Sequence, residues 1–354
     1  MSQPKGLSFG GFLIGIGTGW FLFQNLEVTN ETFSWGLILF GLTIVASNLF
    51  KRFCPEMNLG GLVSGVTFGL IVALVMTNGF SIFTGSDLFN NYDYHVDDPR
   101  SFTGSLTSDQ IAFSSESVNG DITVSTWNEN TYMVLVTVTG KGTSENDATS
   151  ILTEAVTKLD DSKGIGTQEL ILTIDITQSK WNRFEVDIEI SLPEGITLDL
   201  DVETTNGNIR VEDILGEDIS TITTNGNLRF VNVNASSITG RTTNGGIYGT
   251  FDASDMSGRS TNGNININIY SDVSGEYDLS TTNGNVNVDV KESENAGFKL
   301  AGSLTNGQVS FGLNDLNYND NTSKNKTAQS EDYTSSSIQI EIEASTTSGD
   351  IDIT

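Results

Sequence analysis

The residues that could do chemistry in this chain are acids, amides and a few arginines. A polysaccharide lyase or hydrolase would need carboxylates, often joined by basic groups, converging in one groove. Carboxylates are abundant but scattered at predicted turns, as at Asp199, Asp201, Glu203, Asp213, Glu217 and Asp218. That distribution reads as a solvated surface. The single histidine, His95, stands beside Asp93, Asp97 and Asp98 in a predicted linker, and one histidine excludes a multi-histidine metal site within one chain. Oxygen-rich loops could bind calcium diffusely, yet the glycine-rich calcium nonapeptide and the EF-hand spacing are both absent. No catalytic, cofactor-binding or metal residue is assigned, no cofactor is expected, and the chain is read as a non-enzyme. Asn30, Asn234, Asn321 and Asn325 each open an Asn-x-Ser/Thr tripeptide and are candidate glycosylation acceptors.

Charge divides the chain. There are 17 Lys and Arg against 45 Asp and Glu, for a net −28. Before residue 85, Lys5, Lys51 and Arg52 balance Glu27, Glu31 and Glu56, so the whole excess lies beyond. Such a surface repels phosphate, and nucleic acid is excluded as a partner. One cysteine, Cys54, rules out an intramolecular disulfide framework.

The neutral N-terminal part holds three uncharged apolar stretches, Leu7–Phe23, Phe33–Phe50 and Leu59–Phe83. Each is long enough for a transmembrane helix, which takes about 17–25 residues. The basic residues put the N-terminus and the loop at Lys51 in the cytoplasm, and everything after Phe83 outside. Residues 1–83 are therefore expected as a three-helix membrane module in the lipid bilayer, and 84–101 as a linker. Gly11, Gly15 and Gly19, and again Gly61, Gly65 and Gly69, recur at every fourth position. On a helix this makes a ridge where backbones approach closely, suited to packing within the chain, a homo-oligomer or a membrane-complex partner.

Beyond residue 101 a turn motif recurs: VNGDITV at Val118, TNGNIRV at Thr205, TNGNLRF at Thr224, TNGGIYG at Thr243, TNGNINI at Thr261, TNGNVNV at Thr282, TNGQVSF at Thr305 and TSGDIDI at Thr347. Asn206, Asn225, Asn244, Asn262, Asn283 and Asn306 are spaced 19, 19, 18, 21 and 23 apart, and each precedes a glycine: Gly207, Gly226, Gly245, Gly263, Gly284 and Gly307. A period near 20 signals a solenoid. Positions three and five after each Asn are apolar, as Ile209 and Val211 or Val286 and Val288, with a mostly polar residue between; the exception is Gly249, which leaves a gap unless Phe251 or a neighbour fills it. This is a strand with one face in a core. Glycine would supply positive φ at the turn, and stacked asparagines could bond as a ladder. The interval of 42 from Asn306 to Ser348 has room for two rungs, one degenerate. The alternative is a meander, because Asn-Gly is also a hairpin turn.

The period breaks between Asn119 and Asn206. Strands are expected at Thr131–Thr139, Glu169–Thr177 and Phe184–Leu192, and a helix at Ser144–Leu159 with Ser144 as its cap. A small α/β insertion at about 125–195 is expected to cover the N-terminal end of the stack. Leu316–Tyr333 is polar and is expected as a mobile loop. In a stack, Arg210 and Arg229, like Arg241 and Arg259, become vertical neighbours that repel unless acids or an anionic glycan intervene.

The run ISLPEGITLDLDVETTNGNIRVEDILGEDISTITTNGNLRF resembles the toast-rack, adhesin-like β-helix family of bacterial and archaeal surface proteins. Its signature is carried by Pro193, Gly195, Asn206-Gly207-Asn208-Ile209 and Asn225-Gly226-Asn227-Leu228, over roughly Phe102 to Thr354. The resemblance implies a right-handed β-helix, often fused to small helical membrane modules in envelope-stress proteins, and supplies no catalytic residues. The expected chain is mainly β: three transmembrane helices at the cell membrane, then an extracellular β-helix at 102–354. Its expected role is presenting an acidic rod for adhesion, envelope contact or scaffolding, toward a surface glycan or envelope protein. The alternatives are a sensor of envelope stress or a ligand that relays association through its membrane helices, and a carbohydrate-active enzyme.

Overall fold

The computed structural model describes residues 92–164, 166–291 and 295–354, with 13–16, 18, 66 and 70. Chain contacts divide it into Met1–Asn91 and Tyr92–Thr354. The three apolar stretches fall almost wholly outside the described residues, as do Gly11, Gly19, Gly61, Gly65, Gly69 and Asn30; Gly15 is helical and buried. Among the described residues no helix is long and apolar enough to cross a membrane. The expected architecture is corrected on this point: a crossing needs about 20 apolar residues in one helix, and what is described is a mainly β chain with short helices.

The second unit begins with β1 (Tyr94–Ser105), so residues 94–101 of the expected linker are strand. It continues through β2 (Gln110–Asn119), β3 (Ile122–Trp127), β4 (Thr131–Gly142), α1 (Glu145–Leu152), β5 (Val156–Lys163), β6 (Gln168–Asp175) and β7 (Phe184–Pro193). Regular rungs follow: β8 (Thr197–Asn206), β9 (Ile209–Glu212), β10 (Leu215–Asn225), the long β11 (Leu228–Asn244) and β12 (Ile247–Asn262), β13 (Ile265–Tyr270), β14 (Gly275–Asn283) and β15 (Val286–Lys291). The chain ends with β16 (Ala296–Asn306), β17 (Val309–Phe311), β18 (Leu316–Asn321), β19 (Asn325–Ser330), β20 (Ile338–Ser348) and β21 (Ile351–Ile353).

Strands before the corners, most of them Asn-Gly, stack with β6 in one parallel ladder, in the order β6, β2, β8, β10, β11, β12, β14, β20, β16. Those after the turn stack in a second, in the order β7, β3, β9, β11, β12, β13, β15, β21, β17. Each turn joins the two ladders, so the coil is a solenoid and the meander is excluded. Alternation supplies the interior: Ile209, Val211, Leu228, Ile247, Ile265 and Val286 are at most 1% exposed. Gly249 leaves no void, because a methyl group there would lie 2.6 Å from the Phe230 carbonyl oxygen. Phe251 meets Phe230 edge-on at 6.1 Å and stacks with Tyr277 at 6.5 Å. The buried Tyr277 hydroxyl donates to the Ala253 carbonyl at 3.0 Å, and burial raises its pKa.

Both ends depart from sequence order. The C-terminal rung, β20–β21, is inserted between β14–β15 and β16–β17. The rung β2–β3 likewise lies between β6–β7 and β8–β9. The interval Asn306–Ser348 thus holds one rung and an antiparallel hairpin, β18–β19, laid on β16. That hairpin replaces the loop expected at Leu316–Tyr333. At the other end β5 covers β6, while β4 covers β7 and carries β1. The outer sides of β6 and β7 are thus paired over most of their length and that of β16 from Lys299 to Ser303, and β1, β5 and β18 become outermost strands.

The expected helix at Ser144–Leu159 is shorter. Ser144 Oγ accepts from Asp147 N at 3.2 Å, and the buried face is Ala148, Ile151 and Leu152. Val156 and Leu159 belong to β5, where Leu159 lies opposite Leu172. Strand pairing overrides the helical spacing of those apolar residues.

The turn glycines are required by approach, not by positive φ, which among them appears only at Gly120, Gly307 and Gly349. A Cβ on Gly226 would lie 1.8 Å from the Gly207 carbonyl oxygen, and one on Gly245 1.9 Å from that of Gly226. Gly226→Ala should therefore lower stability by about 1–3 kcal/mol or more, read as a drop in thermal midpoint by circular dichroism. Gly246→Ala, whose new methyl would meet the movable Tyr248 side chain, should cost less.

Candidate functional site

Three hydrogen-bonded rails run along the turn edge. In the first, the Asn206 side-chain amide donates to Asn119 Oδ1 at 2.7 Å, Asn225 to Asn206 at 2.7 Å, Asn244 to Asn225 at 2.7 Å, Asn262 to Asn244 at 2.9 Å and Asn283 to Asn262 at 2.9 Å. Asn119 ends the rail by donating to the Trp181 carbonyl at 2.8 Å. Asn306 and its Gly307 stand one rung further, beyond Ser348, which faces both Asn283 and Asn306.

The second rail lies two residues after the first. Asp121 Oδ1 accepts from Asn208 N at 2.7 Å, Asn208 Oδ1 from Asn227 N at 3.0 Å, and Asn227 Oδ1 from Gly246 N at 2.8 Å. Gly246 has no side chain to pass the pattern on; it resumes with Asn264, Asn285 and Asp350. The third rail lies two residues before the first: hydroxyls of Thr223, Thr242, Ser260, Thr281 and Thr346 donate to the glycine carbonyls of Gly207, Gly226, Gly245, Gly263 and Gly284 at 2.8–3.0 Å. Sequence reasoning singled out the first rail alone, although the other two recur at fixed offsets and were open to the same reading.

Exposed or half-buried arginines sit on both ladders, Arg210 and Arg229 on the second and Arg241 and Arg259 on the first. Arg210 lies beside Arg229, and Arg241 beside Arg259. Arg210 pairs with Glu212, and Arg259 with Asp278 at 2.9 Å. Arg229 and Arg241 are exposed and have no carboxylate partner among the described residues. Above Arg229 the column continues through Tyr248, Asn266 and Asn287, whose amide donates to Asn266 Oδ1 at 2.6 Å. A shallow depression of about 340 Å³ lies here, lined also by Asn268, Asp289 and Asp352. Its groups can exchange hydrogen bonds with a polyhydroxylated ligand.

The scattered acids remain scattered. Among the described residues no three His, Cys, Asp or Glu side chains converge as metal ligands. His95 Nε2 sits 3.2 Å from the Tyr92 carbonyl oxygen, on β1. Asn234 is exposed on β11, and Asn321 and Asn325 flank the β18–β19 turn, also exposed. One carboxylate is set apart. Asp252 Oδ1 is buried without a hydrogen-bond partner, and burial, reinforced by Asp272, raises the Asp252 pKa.

Residues 109–354 match the family described as Toastrack DUF4097. Similar solved structures include a candidate cell adhesion protein from Clostridium sporogenes, 15% identical, covering 72% of this chain and 99% of that one at a TM-score of 0.29. A candidate adhesin from Bacteroides fragilis is 11% identical, covering 73% and 97% at 0.37. Another from Parabacteroides distasonis is 9% identical, covering 72% and 97% at 0.35. At these values none bears on what this chain binds. No curated protein matches the chain.

Two measurements test the geometry. Asn225→Ala removes one amide donated and one accepted, and should cost about 1–3 kcal/mol, read by denaturant unfolding. Asp252 is raised in the folded state, so it opposes folding above the ordinary carboxylate range, and its burden disappears as pH falls below that range. Asp252→Asn should therefore raise the thermal midpoint at pH 7, with the gain vanishing near pH 3.

Proposed function

This chain belongs to the toast-rack family DUF4097, and from that premise we propose that it is a non-enzymatic surface protein presenting an acidic β-solenoid for adhesion. The observation that carries this reading is where the repeat puts its recurring polar residues. Asn, Asn/Asp and Thr at three fixed offsets bond to the neighbouring rung, to its Asn side chain, its backbone N–H and its glycine carbonyl. They make a stiff edge, whereas an enzyme would aim such groups into a groove at a reacting atom. Stiffness suits a spacer that holds a contact face away from its point of attachment. A net charge of −28 keeps such rods apart in solution.

The contact face proposed is the depression around Arg229, Tyr248, Asn266 and Asn287, and the partner is a surface glycan. Amides and two carboxylates match sugar hydroxyls, and the Tyr248 ring offers an apolar face beside them.

Immobilised full-length chain should retain envelope polysaccharide extracted from the producing cells. Asn266→Ala combined with Asn287→Ala should reduce retention several-fold while leaving the circular dichroism spectrum unchanged. Absence of retention by the parent chain would sink the glycan-contact reading. Steady release of new reducing ends from the polysaccharide would instead refute the non-enzymatic reading.

A further inference from the structure

The β6 end of the first ladder is incomplete in a way that leaves room for a strand. β2 and β6 stay in register from Ile111–Gln168 to Ser115–Leu172 and then part. β2 continues to Asn119 along β8, and β6 continues to Asp175 along β5. From Glu116 onward β2 has a paired strand on one side only; on the other, the Ser117 hydroxyl donates to the Val186 carbonyl at 3.3 Å and the Asn119 amide to the Trp181 and Phe184 carbonyls at 2.8 and 3.2 Å. No Asn-Gly turn links β6 to β7; the chain swings out through a 3₁₀ turn at Gln178–Arg183 instead. A cleft of about 500 Å³ opens where the strands separate.

Its lining has two unusual features. Ser115 is 7% exposed, and its Oγ has no hydrogen-bond partner. It occupies a core position, in register with the apolar Val202, and lines the cleft beside Phe184 and Trp181. A buried hydroxyl without a partner is costly unless something bonds it. The second feature is charge. Glu116, Asp175, Asp201 and Glu203 line the mouth, all exposed and none ion-paired among the described residues.

We propose that this cleft is a binding site for a short, extended, basic peptide that takes the place β6 vacates. Its main chain would bond the edge of β2 from Glu116 to Val118, a span of about three residues at about 3.3 Å each, stopping short of Asn119, whose amide is held by the Trp181 and Phe184 carbonyls. Small apolar side chains would enter between Phe184 and Trp181, the Ser115 hydroxyl would gain its missing partner, and Lys or Arg on the alternate positions would meet the four carboxylates. This site lies apart from the glycan-contact face and does not depend on that reading.

Calorimetric titration of the full-length chain at low salt tests it, with acetyl-Lys-Val-Lys-Val-Lys-amide as the probe. The peptide should bind, and the Glu-for-Lys version and a version N-methylated at its three middle residues should not. Glu116→Lys, an exposed substitution, should weaken binding at least tenfold, and Ser115→Ala about two- to tenfold, the worth of one hydrogen bond. Failure of the parent peptide to bind, or equal binding by the N-methylated or acidic peptide, would overturn the proposal. So would an affinity unchanged by both Glu116→Lys and Ser115→Ala. Retention of polysaccharide is read separately, so either result stands without the other.

Discussion

Everything in this solenoid depends on how closely one turn approaches the next. At the Asn-Gly corners from Gly207 to Gly284 the glycine Cα sits against the carbonyl oxygen of the glycine one rung away, leaving no room for a methyl group; at Gly120 the Val186 carbonyl takes that place. The glycine carbonyl also accepts a Thr or Ser hydroxyl, while the adjoining asparagines join side chain to side chain. A slip of one residue would bring a side chain against the carbonyl and turn the apolar positions outward. Corner and core thus select the same register, Asn206 to Asn225 to Asn244 to Asn262.

The stack must also stop. A parallel solenoid offers an open strand edge at each end, and both ends here use the same device. A rung from the far side of an excursion is threaded inside the terminal rung, and antiparallel strands cover what remains outside. Insertion gives Ile340, Ile342, Ile351 and Ile353 neighbours on both sides, and each is fully buried. Where β6 parts from β2 the covering falls short, and the unpartnered Ser115 hydroxyl marks that place.

Charge follows the same division between lattice and surface. Neighbouring arginines are unavoidable when a repeat puts Arg at equivalent positions; Arg210 and Arg259 are neutralised by Glu212 and Asp278, and Arg229 and Arg241 stay in water. The acids, far more numerous, are dispersed on outward positions where solvent screens them. Asp252 departs from this order, half-buried near a second carboxylate.

What the sequence determined by itself was everything that repeats locally. Alternation of apolar residues after each Asn-Gly showed the strands and their inner face, and a spacing of 18 to 23 showed the coil. Tertiary structure alone decided the rest, because it rests on partners far along the chain. The Asn119–Asn206 bond spans 87 residues and the Asn285–Asp350 bond 65, so no local pattern could place β2 or β20 within the stack. Val156 and Leu159 had helical spacing until β6 claimed them as strand, and Leu316–Tyr333 looked unstructured because β16 supplies the edge that orders it. The reason for the corner glycines was hidden likewise: the atom that excludes a side chain belongs to a neighbouring rung, and only stacking brings it there.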